Sequence, residues 1–249
     1  MTLETLIQDV PSVQDAHAIA DRLVGAFPSI EAVLLCGSVA RGDADNWSDI
    51  DLVVIGSDTE LTASQLRQEL PEWNDRVSLI YYPMSSFQKL YQESTLFVAH
   101  LKRERVVLYD RLNLLTNLLK DSSQRTVDIA EEIRAHRAKL APYTDPQPFN
   151  NNFLFCLSHL YSIGKGVIML SLAKRGIFEF NRASAFRQFS LLNPDLAKEA
   201  ETVAQLRPFY HLVTGRRPEP LPFSYRAADR QMEMAVQAIQ TLADRAEKP

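Results

Sequence analysis

The stretch Gly37-Ser38-Val39-Ala40-Arg41-Gly42, followed by Asp43-Ala44-Asp45-Asn46-Trp47 and then Ser48-Asp49-Ile50-Asp51, decides how this chain is read. The run before it, Glu31-Ala32-Val33-Leu34-Leu35-Cys36, is short and apolar, the pattern of a buried strand. Gly37-Ser38 interrupts that strand, because glycine tolerates a tight turn and lets a ligand approach the backbone. A short helix starting at Ser38 would turn its unpaired N–H groups and positive end toward an anion. The Ser38 hydroxyl adds a donor, Arg41 adds a positive charge within one turn, and Gly42 ends the turn.

After the polar loop the chain returns as a second strand through Ser48-Asp49-Ile50-Asp51-Leu52-Val53-Val54-Ile55-Gly56. Residues two apart in a strand point to one side, so Asp49 and Asp51 project together. Two carboxylates side by side repel unless a cation lies between them. Magnesium, a hard ion with oxygen ligands, meets that demand and bridges to phosphate oxygens. Gly-Ser before a helix is common, and an Asp-x-Asp at a strand edge is often only solvated. The two in order, bracketed by apolar strands, point to the handling of a nucleoside triphosphate with a divalent metal.

Gly-Ser-x-Ala-Arg-Gly followed by Ser-Asp-Ile-Asp-Leu resembles the signature of the DNA polymerase β-type nucleotidyltransferase superfamily, above all its minimal and antibiotic-modifying bacterial members. The resemblance is sharp over residues 31–56 and looser to about residue 110, where Phe97 to Asp110 is similar to the segment that closes such domains. It implies that Gly37 and Ser38 hold the triphosphate and that Asp49 and Asp51 bind magnesium. It also implies transfer of a nucleoside monophosphate to an acceptor, with pyrophosphate leaving. The family usually carries a third carboxylate on a later strand. Here Arg76-Val77-Ser78-Leu79-Ile80-Tyr81-Tyr82 places Ser78 at that position, and a serine is a poor metal ligand and no general base. Three readings stay open. Asp75 reaches the site through a shift or bulge; an acid of the helical half (Glu131, Glu132 or Glu179) serves instead; or the site binds nucleotide with little turnover.

Helical and strand periodicities alternate up to residue 111: helices over 13–27, 61–70 and 87–97, strands over 31–36, 50–56, 76–82 and 106–109. This predicts a small α/β (α+β) domain over residues 1–111, which the resemblance makes a nucleotidyltransferase-type domain with a short mixed sheet. Beyond it the pattern is helical: Leu112 to Leu140, broken near Asp121, then Phe153 to Lys174, Asp195 to Leu206 and Tyr225 to Ala246. Proline-rich connections lie at 141–152 and 216–222. Residues 112–249 are therefore expected to form an all-α helical bundle of four or five helices, which relatives of this type use to present the acceptor or a partner.

The sequence has 249 residues, 46% of them hydrophobic and 23% charged, as in an ordinary folded protein. Residues 1–149 hold 14 Lys+Arg against 22 Asp+Glu, and residues 150–249 hold 13 against 9. The mildly basic second half speaks against a pocket for a polycationic antibiotic and suits an anionic acceptor. Cys36 and Cys156 both sit in apolar runs and form no ligand set, which suggests a reduced, cytoplasmic setting. No signal peptide is read, and the apolar stretch from Val167 to Ala173 is too short to span a membrane. Gly164-Lys165-Gly166 lies in an apolar helix without the glycine-rich loop of a Walker motif and is read as packing. His100, His136, His159 and His211 are dispersed and read as structural, while Arg182, Arg187, Arg216 and Arg217 could meet an anionic acceptor.

The expectation is a magnesium-dependent nucleotidyltransferase, with manganese as the alternative ion and ATP as the expected nucleotide. Asp49 and Asp51 are the catalytic, metal-binding pair; Gly37, Ser38, Arg41 and Ser48 are the nucleotide-binding residues. The acceptor is a hydroxyl of a nucleic acid, a partner protein or a small molecule, and a homo-oligomer is compatible with the sequence. The alternative is a catalytically weak nucleotide-binding regulator or toxin–antitoxin component, because Ser78 replaces the third acid.

Overall fold

A computed structural model describes residues 10–73, 76–93, 95–120, 128–144, 153–214, 220–221 and 228–247. The chain divides into two compact units, residues 1–127 and 128–249.

The first unit opens with α1 (Val13–Ala26), started by a reciprocal cap. The Asp15 N–H donates to Ser12 Oγ at 3.2 Å, and the Ser12 N–H donates to Asp15 Oδ2 at 2.8 Å. Then come β1 (Ile30–Cys36), α2 (Gly37–Arg41), β2 (Ile50–Gly56), α3 (Ala63–Gln68), β3 (Val77–Pro83), α4 (Met84–Gln92), α5 (Leu96–Glu104), β4 (Val106–Asp110) and α6 (Leu114–Lys120). The strands form one mixed sheet in the order β3-β2-β1-β4. β1 runs antiparallel to both β2 and β4, and β2 runs parallel to β3.

The sheet is covered on both faces, which is why β1 and β2 are almost continuously apolar rather than alternating. Ala16, Ile19 and Leu23 of α1 and Leu66 of α3 pack on the face of Val33, Leu35, Leu52 and Val54. Phe87 and Tyr91 of α4, Val98 and Leu101 of α5, and Leu115 and Leu119 of α6 pack on the face of Leu34, Cys36, Val53 and Ile55. Each fully buried side chain of this size contributes about 1.5–3 kcal/mol. Asp51 shares the parity of Val53 and Ile55, so it emerges on the α4–α6 face where that apolar layer ends.

One expectation is corrected here. The single helix over 87–97 is two helices, α4 and α5, because Thr95 Oγ1 accepts from the Val98 N–H at 3.3 Å and starts a new one. The first compact unit extends past residue 111 to residue 127 and takes in α6, which packs on the sheet. The Asp110 carboxylate at the end of β4 accepts from the N–H groups of Leu115 (3.0 Å) and Thr116 (2.7 Å), and Leu115 is wholly buried. Leu112 and Asn113 make the turn between β4 and α6 with left-handed backbone, both at φ 56°.

The second unit contains, among its described residues, α7 (Ile129–Ala138), α8 (Phe153–Lys174), α9 (Arg182–Leu192), α10 (Ala197–Ala204), α11 (Arg207–Val213) and α12 (Ala228–Glu247). That is more than the four or five helices expected: α9 and α11 lack the long apolar periodicity of their neighbours. α8 is long and apolar enough to cross a bilayer, contrary to the sequence reading, yet 72% of its most apolar window is buried. α7, α9, α10, α11 and α12 all pack against it, which makes it the core of the unit.

Glycines permit that close packing. A Cβ on Gly164 would lie 2.6 Å from Val203 Cγ1 and 3.1 Å from Ile239 Cγ1; one on Gly166 would lie 2.3 Å from His136 Nε2. The Gly-Lys-Gly run is thus a packing device, and Lys165 Nζ lies 6.0 Å from the Tyr210 ring centroid. His136 donates through Nδ1–H to the Glu132 carbonyl at 2.9 Å, and burial pushes its pKa below the usual imidazole range. α8 ends with the Gly176 N–H on the Ala173 carbonyl (2.9 Å) and the Ile177 N–H on Leu172 (3.0 Å). The linker arginines Arg216 and Arg217, and the spare acid Asp75, lie outside the described residues.

Candidate active site

The turn from β1 into α2 fixes the site. Gly37 stands at φ 75°, and a Cβ there would sit 2.2 Å from Asp51 Oδ2. No side chain fits between the bend and the carboxylate, so glycine is required twice over, by conformation and by approach. Asp51 pairs across the ladder with Cys36, the residue before the bend. Asp49 is half-buried and directly precedes β2. The Cys36 thiol is held against the Asp51 carbonyl at 3.6 Å. Burial, with the Asp51 and Asp49 carboxylates adding to it, pushes that thiol up to about 12. Both aspartates thus act on this one sulfur. The thiol stays protonated and adds no third negative charge.

α2 has only five residues, too few for much of a macrodipole. What it offers an anion is its first-turn N–H groups, which have no acceptor within the helix and no side-chain cap, together with the half-buried Ser38. Gly42, at φ 77°, closes the turn.

The structure gives the other nucleotide-binding candidates additional partners. Arg41 Nη1 donates to Glu104 Oε2 at 2.9 Å, and Arg41 Nη2 pairs with Asp43 Oδ1 at 3.2 Å. A phosphate would share Arg41 with two carboxylates. Ser48 Oγ donates to Asp45 Oδ1 at 3.1 Å and accepts from the Asp45 N–H at 2.8 Å, so it shapes the loop that leads into Asp49.

Glu104, and through it His100, which the sequence marks as structural, adjoin Arg41. His100 Nε2 lies 3.1 Å from Glu104 Oε2, the oxygen that also receives Arg41. The spacing of four on one helix face is legible in sequence, but nothing local shows that this face of α5 meets α2. Ser78 lies beside Asp51 in the parallel register of β2 and β3, so the position expected for a third acid does adjoin the pair and holds a hydroxyl. Of the alternative acids, Glu179 is committed to capping α9: it accepts from the Asn181 N–H (2.9 Å), Ser184 Oγ (2.7 Å) and Gln188 Nε2 (3.0 Å).

Among the described residues no group of three or more His, Cys, Asp or Glu side chains is arranged to hold a metal ion. A pair of carboxylates nevertheless suits magnesium, which is commonly held by one or two carboxylates plus substrate phosphates and waters.

Residues 19–114 match a family model described as polymerase beta, nucleotidyltransferase. A comparison with curated proteins gives no match. Among solved structures the chain is similar to a crystal structure of a toxin–antitoxin with AMP-PNP, at 21% identity and a TM-score of 0.34, covering 51% of this chain and 95% of that one. It is also similar to a nucleotidyltransferase-like protein from Exiguobacterium sibiricum 255-15, at 15% identity and a TM-score of 0.39, covering 92% of this chain and 75% of that one.

Proposed function

We propose that the polymerase β-type nucleotidyltransferase domain at residues 19–114 transfers a nucleoside monophosphate from a triphosphate, ATP in the first instance, to a hydroxyl acceptor, releasing pyrophosphate. The observation that carries this reading is the apposition of Gly37 and Asp51, which sets an anion-binding turn against an acid with no side chain between them. Asp49 and Asp51 would hold magnesium or manganese, which neutralises charge on the α-phosphate and on the leaving pyrophosphate. The amides of α2 and the Ser38 hydroxyl hold the triphosphate. The Arg41–Glu104 pair fixes α2 to α5 and keeps the turn rigid while the substrate exchanges. The protonated Cys36 leaves a dry, neutral wall behind the two carboxylates.

The acceptor is a nucleic acid, a protein or a small molecule. Incubating the full chain with labelled triphosphates, magnesium and each acceptor class tests the reading: a labelled product with the native protein, and none with Asp49→Asn, is the expected result. The position of Ser78 beside Asp51 supports a second reading, a nucleotide-binding regulator of low turnover. Ser78→Asp separates the two. Product formed only after that substitution favours the regulator; product formed by the native chain favours the transferase.

A further inference from the structure

The helical unit contains a cavity whose lining differs from that of the first site. The cavity, of about 390 Å3, opens between α8, α9, α10 and α11. That volume lies in the range of small-molecule pockets. Its apolar wall is aromatic: Tyr161 of α8 and Phe186 of α9 lie parallel, 4° between planes and 6.1 Å between centroids. Tyr161 is almost wholly buried and backs Phe186, which is only half-buried. Two guanidinium groups line the same cavity, Arg182 and Arg207. Arg182 is already ordered, its guanidinium 5.0 Å from the Tyr210 ring centroid and its Nη2 3.5 Å from the Tyr210 hydroxyl. An arginine held over an aromatic ring loses less further freedom when it meets a phosphate. The rim adds a carboxylate and an amide, Glu201 and Gln205, with Gln205 Nε2 3.4 Å from Glu201 Oε1. These supply an acceptor and a donor for the edge of a heterocycle.

A second cavity, of about 400 Å3, also bears cations. There, however, Lys174 and Arg175 donate to the Ala246 and Leu192 carbonyls, and no aromatic pair faces them. Unlike that cavity, the aromatic one combines an apolar aromatic wall, two arginines and a mixed polar rim.

We infer that this cavity binds one nucleotide unit, stacking its base on the Phe186 side and holding its phosphate with Arg182 and Arg207. The unit is either a free mononucleotide or the end of a polynucleotide strand. The site stands whether or not the first unit transfers nucleotides.

Calorimetric titration of the full chain tests it, in the Asp49→Asn background and without magnesium, so that metal-dependent binding at the first site is removed. The probes are AMP, adenosine, inorganic phosphate and a tetraribonucleotide. AMP is expected to bind at least about tenfold tighter than adenosine or phosphate, since each half of the site adds its own contacts. Arg182→Gln and Arg207→Gln should each weaken AMP about tenfold, and Arg245→Gln in the other cavity should change nothing. Arg207 is exposed, so its replacement leaves the fold intact even if that of Arg182 does not. Tighter binding of the tetraribonucleotide than of AMP identifies a strand end as the ligand; equal or weaker binding identifies a free nucleotide. AMP affinity unchanged in Arg207→Gln, or no AMP binding at millimolar concentration, overturns the proposal.

Discussion

Gly37 in the first unit and Gly164 and Gly166 in the second are glycines for the same elementary reason, since a Cβ at each would come within 3 Å of another side chain. What they approach differs. Gly37 meets the carboxylate of Asp51 and thereby brings the β1–α2 turn to an acid. Gly164 and Gly166 meet Val203, Ile239 and His136, and bring helices together. A glycine flanked by Ser or Lys is therefore no sign of a phosphate site in itself. The neighbour across the gap decides, and only a polar neighbour at a strand end leaves chemistry to be done.

The comparison breaks first at the acids. Asp49→Asn or Asp51→Asn should lower nucleotidyl transfer by about a thousandfold or more, because several kcal/mol of charge stabilisation goes with the metal. The unfolding temperature should stay nearly unchanged, and rate and melting curve together check both halves. Gly37→Ala should follow with a loss of about a hundredfold, plus about 1–2 kcal/mol of stability from the left-handed backbone. A fully active Gly37→Ala would show that the apposition is incidental.

In the helical unit the order of effects reverses. Gly164→Ala should cost about 1–3 kcal/mol through overpacking against Val203, read by thermal or urea unfolding, while triphosphate binding by the first unit persists. Glu104→Gln sharpens the picture on the other side. It leaves Arg41 with one carboxylate and should raise the KM for the triphosphate or lower stability by about 1 kcal/mol. A tighter triphosphate would instead mean that Glu104 competes with the phosphate for Arg41.

The smallest effect is in pH. Burial holds His136 below the ordinary imidazole range, so on acidification the unfolded chain takes up this proton before the folded one does. Its contribution is complete above about pH 6.5 and declines as the pH falls below that value. His136→Gln should flatten the stability profile of the chain below pH 6.5 relative to the native protein. An unchanged slope would place the titration elsewhere.

The residues that carry local rules were legible without coordinates. An apolar run broken by Gly37-Ser38, and two aspartates two apart on the next strand, identify the turn and the pair because strand alternation and glycine permissiveness act over a few residues. The extent of α8 and its Gly176 stop follow from apolar length and a left-handed cap in the same way. What needed tertiary structure was every fact that depends on which face meets which. That α6 covers the sheet rests on Asp110 capping it from the end of β4, after a left-handed Leu112 that no propensity favours. Likewise Glu104 is shared by Arg41 and His100 because α5 returns against α2. The aromatic cavity exists because four separate helices close around Phe186 and two arginines. Side-chain pattern sets the period of an element, but burial is settled by long-range contacts, and these are not written in any one stretch of the chain.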